Sequence, residues 1–214
     1  MVGTFLGGDI GTLNTALDGL IGSIGADPSS RSANANEFLR TMFVEAGCGE
    51  KSLAECHLPP TGDISRQGYS ASSDWINRPM STAGNAALVS AIQMRHETQG
   101  APDVAVQLDA AGGAINRISP GATAFVHRRA ICSVQYIANW YVATPPSDVT
   151  TWPTRIRASM QRYVSGEAYQ NYADPGIRNW QRAYFGSNYP RLQQVKRRYD
   201  PHNVFRHQQS VTIA

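Results

Sequence analysis

Cysteine is scarce, with three residues in 214, an odd number that cannot all pair. Cys48 and Cys56 flank GEKSLAE and either close a small loop in an oxidising compartment or stay as two thiols. Cys132, inside AICSVQYIANW, reads as a small buried hydrophobe. His57 follows Cys56, but a single C-x7-C-H stretch lacks the second ligand pair of a structural zinc site, so no metal is expected. Long apolar runs are also missing. None approaches the ~18 residues that span a bilayer, and the opening MVGTFLGGDIG has neither the basic start nor the long apolar middle of a signal peptide. The expectation is a soluble chain with no membrane partner, its compartment open between cytoplasm and secretion.

Several catalytic signatures are absent as well. GTFLGGDIGT tempts a dinucleotide reading, but Leu6 stands where G-x-G-x-x-G needs glycine. There is no G-x-x-x-x-G-K-[ST], no H-E-x-x-H and no G-x-S-x-G, which excludes nucleotide hydrolases, zincins and α/β-hydrolases by those routes. Charged residues make up 16% of the chain and hydrophobic ones 42%, the balance of a folded globular protein.

The charge is unevenly held. Residues 1–177 carry twelve basic against fifteen acidic residues, whereas seven Arg or Lys from Arg178 onward face Asp200 alone. Without Arg/Gly repeats, zinc knuckles or a continuous basic helix, nucleic acid is not the expected partner of this tail. Within it, NYPRLQQVKRRYDPHNVF predicts a helix with Pro190 in the first turn and Leu192, Val195 and Tyr199 on one face. Asp200-Pro201 ends it, because a residue before proline is pushed out of the α region. This apolar and basic helix is either a solvated surface element or a docking element.

Upstream, VGTFLG predicts a strand, followed by a helix opening at Thr12 with Leu13, Leu17, Leu20, Ile21 and Ile24 as its stripe and Gly25 at its end. NEFLRTMFVEAG predicts a second helix and residues 82–98 a third, with PPTGDISRQGYSASSD as a polar connection between them. VAVQLD, AAGG and AINRI read as a hairpin, AICSVQYIANW as a further strand, PTRIRASMQRYV as a helix and EAYQNYAD as one more strand. The sum is an α+β fold, mostly antiparallel sheet with helices on one face and a C-terminal helical tail. No internal repeat and no long linker divides the chain.

Some polar residues stand in places that need a reason. Asp109 closes an apolar strand before the glycine turn, His127 interrupts TAFVHRRA, and Tyr169, Asn171, Tyr172 and Asp174 crowd one short segment. Each has a structural explanation: a turn-starting Asp109, a satisfied core histidine, and tyrosines covering a sheet. Taken in order, however, LDAAGGAINRISPGATAFVHRRA, SVQYIANW, YQNYADP and NWQRAYFGSNYPRLQQVKRRYDPHNVFRHQQS resemble the C-terminal portion of berberine-bridge-enzyme-like flavoproteins of the vanillyl-alcohol-oxidase superfamily.

That resemblance implies an FAD-dependent oxidoreductase of an alcohol, a sugar or a natural product. The FAD-binding domain is then the partner, because the family's phosphate loop and flavin-holding histidine have no counterpart here. It assigns Tyr172 as the base, in contact with the cofactor, and Asp109 as its assistant. Residues 1–177 are then the substrate-binding domain and 178–214 the tail, with Asn203 supporting the tail beside the flavin. Candidate substrate contacts are Gln107, Asn116, His127, Gln135 and Tyr169, with Tyr136 facing the opposite way from Gln135 by strand alternation. A tyrosine with a pKa near ~10 is almost wholly protonated at neutral pH, so as a base it needs a relay or a cation. The second reading is a stand-alone, flavin-free domain that binds a ligand or cyclises a natural product.

Overall fold

The structure, a computed structural model, describes residues 5, 8–62, 64, 66–99 and 104–213. It divides into two compact units, Met1–Arg66 and Gln67–Ala214.

In the first unit, α1 (Ile10–Ile24) starts two residues before Thr12, because Asp9 is the N-cap and accepts the Thr12 N–H at 2.7 Å. Gly25 ends it at φ 71°, returning its N–H to Ile21. Helix α2 spans Phe38–Glu45. Neither helix buries a residue fully, and Cys48 is the one buried position among the unit's described residues. Cys48 is bonded to Cys56, so the loop is closed rather than left as two thiols. The strand expected over VGTFLG lies, apart from Phe5, outside the described residues.

The second unit is built on a three-stranded antiparallel sheet in the order β1 (Gly68–Ile76), β3 (Cys132–Trp140), β2 (Val104–Ala110). Register pairs Ser73 with Gln135 and Gln135 with Gln107, and likewise Trp75 with Ser133 and Ser133 with Asp109. Alternate residues therefore divide cleanly between two faces. On one face Ile76, Val134, Tyr136, Val104 and Val106 pack against α3 (Thr82–Gln99) and α5 (Trp152–Met160), with Leu88, Trp152, Ile156 and Met160 completing the core. The one-sided α+β layer matches the expectation from sequence.

Three local readings are corrected. The first is β1, seven of whose nine residues, GYSASSD, read as a polar connection in the sequence. Its polar residues Ser72, Ser73 and Asp74 are all fully buried, so it lacks the apolar alternation that marks a strand. The second is the return arm AINRI, which is not a strand. After Gly112 and Gly113 (φ 149° and 52°) the chain turns on Ile115 N–H to Gly112 O and becomes a loop, and the antiparallel partner of β2 is the distant β3. The third is EAYQNYAD, which is also not a strand. Tyr172 N–H bonds Tyr169 O, and Asp174 folds back to take the Gly176 N–H, closing turns that a strand cannot hold.

Asp74 faces the helices. Its carboxylate accepts from Tyr136 Oη at 3.1 Å and Gln161 Nε2 at 2.9 Å, with an Arg157 guanidinium nitrogen 3.3 Å away. Burial pushes its pKa up to about 6 against the opposing pull of Arg157. The Tyr136 phenol is pushed far up by the same burial, then by the Asp74 charge.

Helices α4 (Ser147–Thr150) and α6 (Trp180–Phe185), with a 3-10 turn over Gly186–Asn188, lead into α7 (Tyr189–Tyr199). A small second core of Ala168, Ile177, Trp180, Ala183 and Tyr184 holds this region, with Phe185 and Tyr189 against it. Helix α7 buries none of its residues, and Val195 and Tyr199 are exposed. Beyond it, Asp200 accepts the Val204 N–H at 2.7 Å and the Phe205 N–H at 3.1 Å, and Lys196 clasps both Asp200 and the Phe205 carbonyl. This turn is ordered by its own bonds, yet Val204 and Phe205 remain 71% and 78% exposed.

Candidate functional site

The sheet face away from the helices carries the polar residues. Gln107 and Gln135 lie opposite one another in register, and Gln107 Nε2 donates to Asp109 Oδ1 at 2.9 Å. Ser133 Oγ, the cross-strand neighbour, reaches the other Asp109 oxygen at 3.4 Å. Tyr136 points to the opposite face and belongs to the core, so of the strand candidates Gln107 and Gln135 share the site face.

An aromatic wall stands over one side of this face. Trp75 stacks on His127 with centroids 4.9 Å apart, and Phe125 and Tyr169 meet Trp75 edge-on at 5.6 and 5.7 Å. Tyr172 continues the wall against Tyr169 at 5.1 Å, and Asn171 donates to the Tyr169 hydroxyl at 2.9 Å. Edge-to-face contacts of this kind fix ring orientation beyond what burial alone does.

The Asp109 charge reaches Tyr172. The Tyr172 pKa is raised, first by burial and then by the charges of Asp109 and Tyr169. Cys132, on β3, is raised by burial and by the same Asp109 charge. A carboxylate near a phenol disfavours the phenolate, so the Asp109 charge opposes rather than aids ionisation of Tyr172.

His127 does not line an open pocket. Its ring is buried, Nε2 bonds the Tyr184 carbonyl at 3.1 Å, Nδ1 lies 3.3 Å from Glu167, and its face backs Trp75. The carboxyl of Glu167 is correspondingly held below its usual range, chiefly by the His127 bond. Asn116 sits in the loop after β2, where its Nδ2 donates to Ala130 O at 2.9 Å. No hydrogen bond joins Asn116 or Asn203 to the Tyr172 cluster among the described residues.

Asn203 adopts φ 51°, and its buried Oδ1 has no hydrogen-bond partner among the described residues; the same holds for Gln170 Oε1, beside Tyr169. An unpartnered buried acceptor costs roughly 1–3 kcal/mol. Neither atom is open to a partner, so the fit to a flavin-bearing domain rests instead on the exposed Val204 and Phe205 beside Asn203. Sequence reasoning missed Trp75 and Phe125, since the strand that carries Trp75 was hidden by its serines.

Residues 168–212 match the family model described as berberine and berberine like. The FAD-linked oxidoreductase YgaK of Bacillus subtilis is 37% identical over 147 residues, covering 68% of this chain and 31% of that protein. Two solved structures superpose on 97% of the chain. Physcomitrella patens BBE-like 1 does so with TM-score 0.79 and 27% identity over 43% of its own length. A chitooligosaccharide oxidase gives TM-score 0.80 and 25% identity over 44% of its length. The chain thus spans about a third to under half the length of these relatives. Within that span, by sequence and by fold, it is similar to the berberine-bridge-enzyme-like FAD-linked oxidoreductases, and residues 168–212 carry the berberine-like family model itself.

Proposed function

We propose that this chain is the substrate-domain part of an FAD-dependent oxidoreductase that oxidises an alcohol, a sugar or a natural product, with Tyr172 as base. The observation that carries the reading is a polar sheet face bearing Gln107, Gln135 and Asp109, walled by Trp75, Phe125, Tyr169 and Tyr172. Residues 1–177 would form the substrate-binding part and 178–214 the tail. FAD, when bound by the domain that holds it, accepts the hydride.

This chain's residues do the remaining work. Phe125 and Tyr169, half-buried over the buried Trp75, present ring surface to an apolar face of the substrate, and Gln107 and Gln135 offer amides to its polar groups. Tyr172 takes the hydroxyl proton, and Asp109 receives it through a hydrogen-bonded pair. Because burial and Asp109 both oppose the phenolate, a cation must come from the partner or from the substrate complex to bring Tyr172 into range. The exposed Val204 and Phe205, with Asn203 beside them, are in this reading the tail's contacts with the flavin-bearing domain, and their exposure supports the tail as a docking element.

The test is reconstitution. The chain, colourless alone, is combined with the FAD-binding part of a related oxidoreductase, covalently joined or in trans, and flavin bleaching under anaerobic conditions is followed with candidate alcohols and sugars. Bleaching that requires both parts supports the assignment. Substrate turnover by the isolated, flavin-free chain would overturn it in favour of a stand-alone domain.

A further inference from the structure

Segment 167–174 grips the edge strand β1 from both sides. Ser72 and Ser73 are neighbours and so point to opposite faces of the sheet, and both are fully buried. On the site face, Ser73 Oγ accepts the Tyr169 N–H at 2.9 Å. On the helix face, Ser72 Oγ donates to Asp174 Oδ2 at 2.5 Å. The chain crosses from one anchor to the other in only four residues, Gln170 to Ala173, and Tyr172 is among them, its own N–H tied to Tyr169 O at 3.0 Å.

Asp174 is the busier anchor. Its second oxygen takes the Gly176 N–H at 2.7 Å, and its own N–H donates to the Tyr184 hydroxyl at 2.9 Å. Gln209, from the tail, donates to the Asp174 carbonyl at 2.9 Å, and its Oε1 lies 3.3 Å from the same Tyr184 hydroxyl. With Asp174 itself 4% exposed, none of these groups can exchange its partner for water without the segment moving.

From this geometry we infer that Ser72, Ser73 and Asp174 are positioning residues that set where Tyr172 stands over the sheet, and that Gln209 ties this setting to the tail. The inference rests on the reading of Tyr172 as base for its catalytic meaning, but the placement itself can be read without catalysis. A reacting group displaced by about 1 Å loses on the order of 100-fold in rate.

The experiment uses the full chain labelled with 3-fluorotyrosine, in which the Tyr172 fluorine resonance is assigned by its loss in Tyr172→Phe. Ser72→Ala, Ser73→Ala and Asp174→Asn are each expected to shift or broaden the Tyr172 resonance while that of Tyr163, on the helix side of the sheet, stays in place. A merely structural role would lower the melting temperature and leave the Tyr172 resonance where it was. An unmoved Tyr172 signal in folded Ser72→Ala and Ser73→Ala chains overturns the inference, and those two variants decide it if Asp174→Asn does not fold. In the reconstituted protein, Ser72→Ala should lower kcat by up to about 100-fold with KM little changed. If the resonance moves as expected but Tyr172→Phe leaves flavin reduction intact, the base assignment fails and the placement stands.

Discussion

The two faces of the sheet are built from alternate residues of the same three strands, yet they follow opposite rules. On the helix side, Val134, Tyr136, Ile156 and Met160 are all at most 3% exposed and close-packed, and the polar Asp74 is bonded to Tyr136 and Gln161. On the other side, Gln107 and Asp109 are exposed and bonded mainly to each other, and Tyr169 and Tyr172 cover the face only in part. One face has its needs met inside the chain, and the other leaves polar groups available. Stability should therefore respond to substitutions on the first face, and chemistry to substitutions on the second.

The largest expected change in stability tests the covered face. Met160 is 1% exposed at the centre of the core, and Met160→Ala should destabilise the second unit by about 2–5 kcal/mol in urea unfolding. A loss well under 1 kcal/mol would mean that α5 is not packed as described.

Next comes the pH dependence contributed by Asp74. A carboxyl whose folded pKa is raised stabilises the fold below its ordinary value near ~4, and that contribution is lost as pH rises through about 6. Unfolding free energy should fall by about 2–3 kcal/mol over that window, and the slope should vanish in Asp74→Asn. A slope that survives the substitution would assign it to another group.

The smallest effect sharpens the open face. Asp109 raises the pKa of Cys132 as well as that of Tyr172. Asp109→Asn should therefore speed alkylation of Cys132 at mildly alkaline pH, with unfolding free energy changed by no more than about 0.5 kcal/mol. Unchanged alkylation would show that the Asp109 charge does not reach β3.

What could be read from the sequence follows the same division. Helices with clean ends were legible: Gly25 after α1, Pro153 opening α5, and Asp200-Pro201 closing α7 are local signals that tertiary contacts did not override. Strand β3 was legible from its alternation. Strand β1 was not, because Ser72, Ser73 and Asp74 are buried by hydrogen bonding to residues some 60 to 100 positions away, which no local pattern reveals. The hairpin and the EAYQNYAD strand failed for the converse reason: alternation was present, but the partner edges were taken by β3 and by the β1 serines.

The candidate site was visible only through family resemblance. That resemblance named Tyr172 and Asp109, whose charge raises the Tyr172 pKa, but it gave no means of finding Trp75 or Phe125. His127, named for a pocket, instead supports the wall from behind.

The most direct measurement is anaerobic stopped-flow reduction of the flavin after the chain has been joined to an FAD-binding part, comparing native Tyr172 with Tyr172→Phe at saturating substrate. The account predicts a loss of about 100-fold to 10,000-fold in the reduction rate with flavin still bound. Equal rates in the two proteins would contradict it.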